Sequence, residues 1–468
     1  MQYSVVNKSV LNGDFRIDPE FYKKDYLKND VLLKQKKILD MDKVFITDGE
    51  HGTPEYDKTT NIKYITAENI KKGYIQETDF NTISKEQDER NKRAHVQVDD
   101  ILIYSVGAYA GLVAKAEPHL FPCSIPRSVA IMRLAQKEIS DFIVIFLNSK
   151  YGKYQMSRLQ AGNAQPVLAL EKIKELNIPL LSKALVTKLR KINKLAYISR
   201  LRAKKQYKTS EKVLLKSLDM LNFQCSQCKS YIKNFSDVQT ANRLDAEYFQ
   251  PKYDEILEII NRNNHTTLIK QFDIIRNSGL EYDSEGKNGV IKTKQIKDRF
   301  IDFNVEDRTN QGDSNIIVKN QDVLFASMGV GSLGKANIYY DFENDDNYII
   351  DSTLKIFRAK TGNTLSPEYL DVYLHSQLAR ELIYQNIVGS SGIISIYESY
   401  LQSLPIPIIN RDAEEQIIEN VNKAHRLNYQ SKQLLEIAKH GVEKAIEENE
   451  ETAMQWIDEQ LKQIGVTL

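Results

Sequence analysis

The chain holds little cysteine, one tryptophan and no long apolar run. Its three cysteines, Cys123, Cys225 and Cys228, are too few for a disulfide framework and suggest a reducing compartment. No stretch of about 18 apolar residues is present, which excludes a membrane-spanning helix of the usual kind. The N-terminal "MQYSVVNKSVLNGDFRIDPE" lacks a charged-then-apolar signal pattern, so the expected compartment is cytoplasmic. The formal charge is +1, so only a local basic stripe can argue for nucleic acid. Signatures of catalysis are scarce too. There is no G-x-S-x-G, no H-E-x-x-H, and no "NPP" or "DPP" segment of the kind that holds a flipped base for amino-group methylation. Acids and lysines are plentiful, which leaves a nuclease constellation open, but no spacing marks one out. The absences point to a recognition protein.

What is present is tyrosine and a duplication. The 25 Tyr and 16 Phe suit strands and wet recognition surfaces. At 468 residues the chain is too long for one core. "RIDPEFY" at Arg16–Tyr22 matches "RLDAEYF" at Arg243–Phe249, and "YITAENIKKGYI" at Tyr64–Ile75 matches "VIKTKQIKDRFI" at Val290–Ile301. "DILIYSVG" at Asp100–Gly107 pairs with "DVLFASMG" at Asp322–Gly329, "LNSK" at Leu147–Lys150 with "LHSQ" at Leu374–Gln377, and "IPL" at Ile178–Leu180 with "IPI" at Ile406–Ile408. The offset stays between 222 and 228 residues, in order, which means two copies of one unit. Each copy reads as α+β: a curved, mostly antiparallel sheet with long loops, two helical stretches, a Gly-containing loop and an I-P segment.

After each copy the character changes. From about Ser182 to Leu221 there is no Pro or Gly, and Leu185, Leu189, Ile192, Leu195 and Ile198 recur at helical steps. From about Asp412 to Glu450, Ile417, Val421, Ala424, Asn428, Ser431, Leu435, Ala438, Val442 and Ala445 step four and three, a heptad-like seam. Asp412 is the expected N-cap there. Two such helices would most simply pair antiparallel, as coiled-coil-like spacers. The first is basic: Lys183, Lys188, Arg190, Lys191, Lys194, Arg200, Arg202, Lys204, Lys205, Lys208 and Lys212 face Glu211 alone. A solvated face is the ordinary reading of such a run, and a phosphate backbone or acidic partner the sharper one.

Three motifs compete for chemistry. "GVGSLGKA", Gly329 to Ala336, fits the phosphate loop G-x-x-x-x-G-K, but Ala336 stands where a hydroxyl should bind magnesium. The aromatic, turn-rich "ANIYYDFENDD" that follows does not suit the required helix, and the matching "GAYAGLVA" has no lysine, so a strand-end reversal is expected. Cys225-Ser-Gln-Cys228 lacks two further zinc ligands at suitable spacing. "TDGEHGTPEYDK", Thr47 to Lys58, packs Asp48, His51, Thr53, Tyr56 and Lys58 among two glycines and a proline. It could present donors and acceptors to base edges, or be a turn with a solvent-facing His51.

The pattern resembles the specificity subunit of type I restriction-modification enzymes over nearly the whole chain. The resemblance rests on "DGEHGTPEY", on "DILIYSVGAYAG" with "DVLFASMGVGSLG", and on "GNAQPVLALEKIKELNIPL" with "GSSGIISIYESYLQSLPIPI". In the second copy "IIRNSGLEYDSEG" replaces the histidine loop, so the role of His51 does not transfer. The resemblance implies two target-recognition domains, 1–182 and 236–410, a central spacer helix and linker, 183–235, and a distal spacer helix and tail, 411–468. Each domain would read half of a split double-stranded DNA site. Two modification subunits would dock and methylate adenine with S-adenosylmethionine, which they and not this chain would hold, and two restriction and translocation subunits could join. No catalytic residue and no metal is expected here. Candidate DNA contacts are His51, Thr53, Tyr56, Lys58, Ser105, Tyr109, Asn163 and Gln165 in the first domain. In the second they are Arg276, Asn277, Lys292, Lys294, Ser327, Ser332, Lys335, Ser390 and Ser391. The alternatives are a helical adapter that binds proteins and a phosphate-loop nucleotide-binding protein.

Overall fold

The computed structural model describes residues 18–76, 80–162, 165–226, 228, 230–312, 316–342, 347–389 and 393–468. The chain divides into two compact units, Met1–Ser199 with Gln430–Leu468, and Arg200–Tyr429. The duplication is visible strand by strand. The first unit has a four-stranded antiparallel sheet in the order Phe45–Asp48, Val129–Arg133, Ile101–Tyr104, Val113–Lys115. The second repeats it with Phe272–Arg276, Leu354–Ala359, Val323–Ala326 and Ala336–Ile338. A small mixed sheet accompanies each. Lys63–Tyr64 lies between antiparallel Asn81–Thr82 and parallel Cys123–Ser124, and Asn288–Ile291 between antiparallel Arg308–Thr309 and parallel Asn347–Ile350.

The central strands are apolar without alternation because both faces are covered. Ile101 and Ile103 face a cluster built on the helices, whereas Leu102 belongs to a second cluster with Ala114 and Ile131. Val323 and Phe325 are divided in the same way from Leu324 and Ala326. Helices Ser140–Asn148 and Lys150–Leu159 cover the first sheet, and Pro367–His375 and Gln377–Gln385 the second. The matched "LNSK" and "LHSQ" are the breaks between these pairs. Ser149 and Ser376 leave the helical region and accept the N–H of Gly152 at 3.5 Å and of Ala379 at 3.3 Å, starting a new helix in a new direction. The I-P segments return to the start of each unit: Pro179 bridges Ile38, and Ile406 pairs with Thr266.

The long helices run Lys183–Ser217 and Arg411–Glu447. Within the first unit Leu185, Leu189, Ile192, Ala196 and Ser199 are buried, with Leu434, Ala438, Val442 and Ala445. The Ser431 hydroxyl donates to the Ala196 carbonyl at 2.7 Å. Within the second, Ala203, Tyr207, Ser210 and Leu214 are buried, with Ile417, Val421 and Ala424. One expectation is corrected. Asn410, not Asp412, caps the second helix: its Oδ1 accepts the Ala413 N–H at 2.9 Å, and Asp412 lies in the first turn. Among the described residues no helix is long and apolar enough to cross a membrane.

Candidate nucleic-acid interface

The glycine-rich stretch is a turn between antiparallel strands. Val323–Ala326 enters it and Ala336–Ile338 leaves it, so no helix N-terminus follows to hold a phosphate. Gly329, Gly331 and Gly334 also satisfy G-x-G-x-x-G, which fails on the same ground. The nucleotide-binding alternative has no structural support. Gly111 and Gly334 occupy the same place in the two turns at φ values of +96° and +84°, which side chains other than glycine's rarely adopt.

The aspartate that opens each matched strand is structural. Asp100 is buried and takes a two-pronged pair from Arg133, Nε at 2.8 Å and Nη2 at 2.7 Å, while Arg133 also donates to the His95 carbonyl. Asp322 and Arg358 repeat this at 2.9 and 2.7 Å, with the Ile317 carbonyl as the third partner. Both aspartates also accept a backbone N–H three residues earlier, from Gln97 and from Lys319, each at 2.7 Å.

At the other end of these strands, loops distant in sequence are joined. Gly107 N–H donates to the Pro166 carbonyl at 3.0 Å and Leu168 N–H to that of Ser105 at 2.8 Å. In the second unit Gly329 N–H reaches the Ile394 carbonyl at 2.9 Å and Ile396 N–H that of Ser327 at 3.1 Å. The Ser-Gly turn and the Gly-containing loop therefore form one edge in each copy. In the first unit a third loop joins it. Glu50 bridges Pro126, and Arg127 N–H donates to the Glu50 carbonyl at 3.2 Å. Gly49 is needed for this approach, because a Cβ there would lie 2.0 Å from the Ile125 carbonyl oxygen.

This edge sorts the sequence candidates. His51, Thr53, Tyr56, Lys58, Tyr109 and Gln165 are exposed on the first unit's loops. Ser105 is buried, its hydroxyl 3.5 Å from the Arg127 carbonyl, and therefore fastens the edge rather than presenting a donor. Ser327 does the same through the Thr353 carbonyl at 3.0 Å. Asn277 is buried, donating to the Ile350 carbonyl at 2.9 Å, and holds the start of its loop. Arg276 and Lys335 are exposed and Ser332 half-buried. Lys292 and Lys294 share Asp307 at 3.1 and 3.3 Å, which offsets much of their charge. Asn163, Ser390 and Ser391 lie outside the described residues.

Three arginines that sequence reasoning passed over gather around the histidine loop. Arg90 pairs with Glu50 at 3.3 Å and Glu55 at 2.5 Å, Arg93 with Asp48 at 3.4 Å, and Arg127 Nη1 lies 3.4 Å from His51 Nδ1. An N–H from arginine requires Nδ1 to be bare, which places the imidazole proton on Nε2, toward Asp48 at 3.8 Å. Arg127 gave no signal as a lone basic residue, whereas Arg90 and Arg93 stand in the basic run Arg90-Asn-Lys-Arg93, which was the available signal. Burial pushes the Cys123 thiol up to about 12, and burial likewise raises Cys225. Among the described residues no group of His, Cys, Asp and Glu is placed to hold a metal ion.

No protein-family model matches the sequence, and comparison with curated proteins finds no match. Solved structures do match. Among them are an S subunit of a type I restriction-modification system and an HsdS subunit. The S subunit from M. genitalium is 13% identical, with 92% of this chain and 95% of that chain covered and a TM-score of 0.33. The HsdS subunit from Thermoanaerobacter tengcongensis is 17% identical, with 87% and 97% covered and a TM-score of 0.27. A chain from a study of complex assembly and conformational transition of the type I R-M system is 14% identical, with 91% and 98% covered and a TM-score of 0.28.

Proposed function

We propose that this chain is the DNA-recognition subunit of a type I restriction-modification complex, each domain reading one half of a split site. One observation carries the reading: the two copies share a framework nearly bond for bond and differ in the side chains exposed at its loop edge. The Asp–Arg fork, the serine turn and the bridged loops recur. In the second copy the histidine loop at Thr47–Lys58 is replaced by Ile274–Gly286, which has no histidine. A common scaffold with different tips suits two readers of different sequences, since phosphate contacts set register and a few tip residues set sequence. Exposed His51, Thr53, Tyr56, Lys58, Tyr109, Gln165, Arg276 and Lys335 are the proposed contacts. Methylation would be the work of two modification subunits, docked on this chain and holding S-adenosylmethionine, with restriction and translocation subunits joining where the system cuts. Long-read methylation mapping in cells carrying this chain and its methyltransferase tests the reading. The expected result is a split adenine-methylated motif that vanishes when this gene is deleted; a methylome unchanged by the deletion overturns it.

A further inference from the structure

Resting on that reading, we infer that Arg127 reads a guanine in the first domain's half-site, and that Arg276 has the matching task in the second domain. Around the loop edge of the first sheet, Arg90 and Arg93 are each held by a carboxylate, from Glu50 and Glu55 and from Asp48. Arg127 is exposed, and among the described residues its guanidinium meets only the His51 imidazole. Its backbone, in contrast, is pinned on both sides: the N–H to the Glu50 carbonyl at 3.2 Å, the carbonyl to the Ser105 hydroxyl at 3.5 Å. A charged fork on a fixed Cα, where three loops converge, is organised before any partner arrives. Guanine offers two adjacent acceptors, O6 and N7, that match such a fork; no other base edge in the major groove does.

The second domain places its arginine differently. Ser352 stands at the position of Arg127, one residue pair before the matched strands Val129–Arg133 and Leu354–Ala359. On the neighbouring strand, Asp48 lies opposite Ala130 in the first sheet and Arg276 opposite Lys355 in the second, so the two occupy one register. The acid of the first domain is thus replaced by a base. Lys355 is paired with Glu398 at 3.2 Å, while Arg276 is exposed and, among the described residues, meets no carboxylate. Among the described residues each domain thus presents at the same end of its sheet an arginine that meets no carboxylate, one just before a strand and one at the end of the neighbouring strand.

The test uses the whole chain assembled with its modification subunits, with the methylated motif mapped and binding measured against salt. Arg127→Ala is expected to relax one guanine position of one half-site, by on the order of 10- to 100-fold in discrimination, and to leave the other half unchanged. Arg276→Ala is expected to do the same in the other half. Arg127→Lys keeps the charge but not the fork, so it should relax the same position; it also serves if the alanine variant does not assemble. A wild-type motif in Arg127→Lys overturns the inference. So does a uniform loss across all sequences with a shallower salt dependence, the mark of a phosphate contact. Failure of the recognition reading itself is separate, since the wild-type complex would then methylate no split motif.

Discussion

Asp100 and Asp322 open the motif by which the two copies are matched, yet neither reaches toward a ligand. Each is buried and forked to an arginine on the adjacent strand. The repeat made these aspartates visible in the sequence, but their task was not, because Arg133 and Arg358 are single residues at strand ends. Their shared offset of 225 residues was the available signal. Asp100→Ala leaves Arg133 without its counter-charge, and is expected to cost about 3 kcal/mol or more in denaturant unfolding of the first unit. Another buried acid was not legible at all. Asp371 accepts the Tyr207 hydroxyl at 2.5 Å and the Ile338 N–H at 3.0 Å, and burial pushes its carboxyl up to about 7. The folded chain thus holds this proton more tightly than the unfolded chain. The resulting stability is complete below the unfolded value near 4 and is lost as pH rises through 7. His375, 3.8 Å away, runs the opposite way: burial holds it neutral, so its share is present above about 6.5 and lost as pH falls. Asp371→Asn isolates the first effect. The unfolding free energy of wild type minus that of the variant should fall between about pH 4 and 7 and level off above, and a flat difference would count against the buried acid.

At the scale of elements, the sequence pattern located the long helices to within a few residues but misplaced parts of their seam. It selected Leu195, Ile198 and Leu435, which are only half-buried, and passed over Ala196, Ser199 and Leu434, which are buried. The reason is physical. Small residues let the backbones approach, and Ser431 bonds the Ala196 carbonyl across the gap, so the closest seam positions are not the most hydrophobic ones. The serine breaks were legible as repeated letters without a meaning; capping geometry supplies it. Ser149→Ala and Ser376→Ala should each cost about 1 kcal/mol, read as a lowered denaturation midpoint. Gly should be tolerated better than Ala at both positions, a difference of several tenths of a kcal/mol that a purely steric role would not give.

For the whole molecule, the two copies in sequence are not the two units in space. The second unit is continuous, Arg200–Tyr429, whereas the first takes Gln430–Leu468 from the far end of the chain. That segment supplies Leu434, Ile437, Val442, Ile446, Ile457 and Leu461 to the first unit's core, along with small residues such as Ala438 and Ala453. Sequence periodicity assigned these residues to a spacer and tail, because a stripe on a helix does not say which surface it covers. Burying each large side chain is worth about 1.5–3 kcal/mol, and a domain's entire stability is about 5–15 kcal/mol. A chain ending at Tyr429 should therefore lose the first unit's fold while keeping the second's. Hydrogen exchange would show it: amides of Ile101–Tyr104 and Val129–Arg133 should lose protection, and those of Val323–Ala326 and Leu354–Ala359 should retain it. Equal loss in both sets would mean that the second unit does not stand on its own core. Unchanged protection in both would mean that the distal helix is a spacer after all.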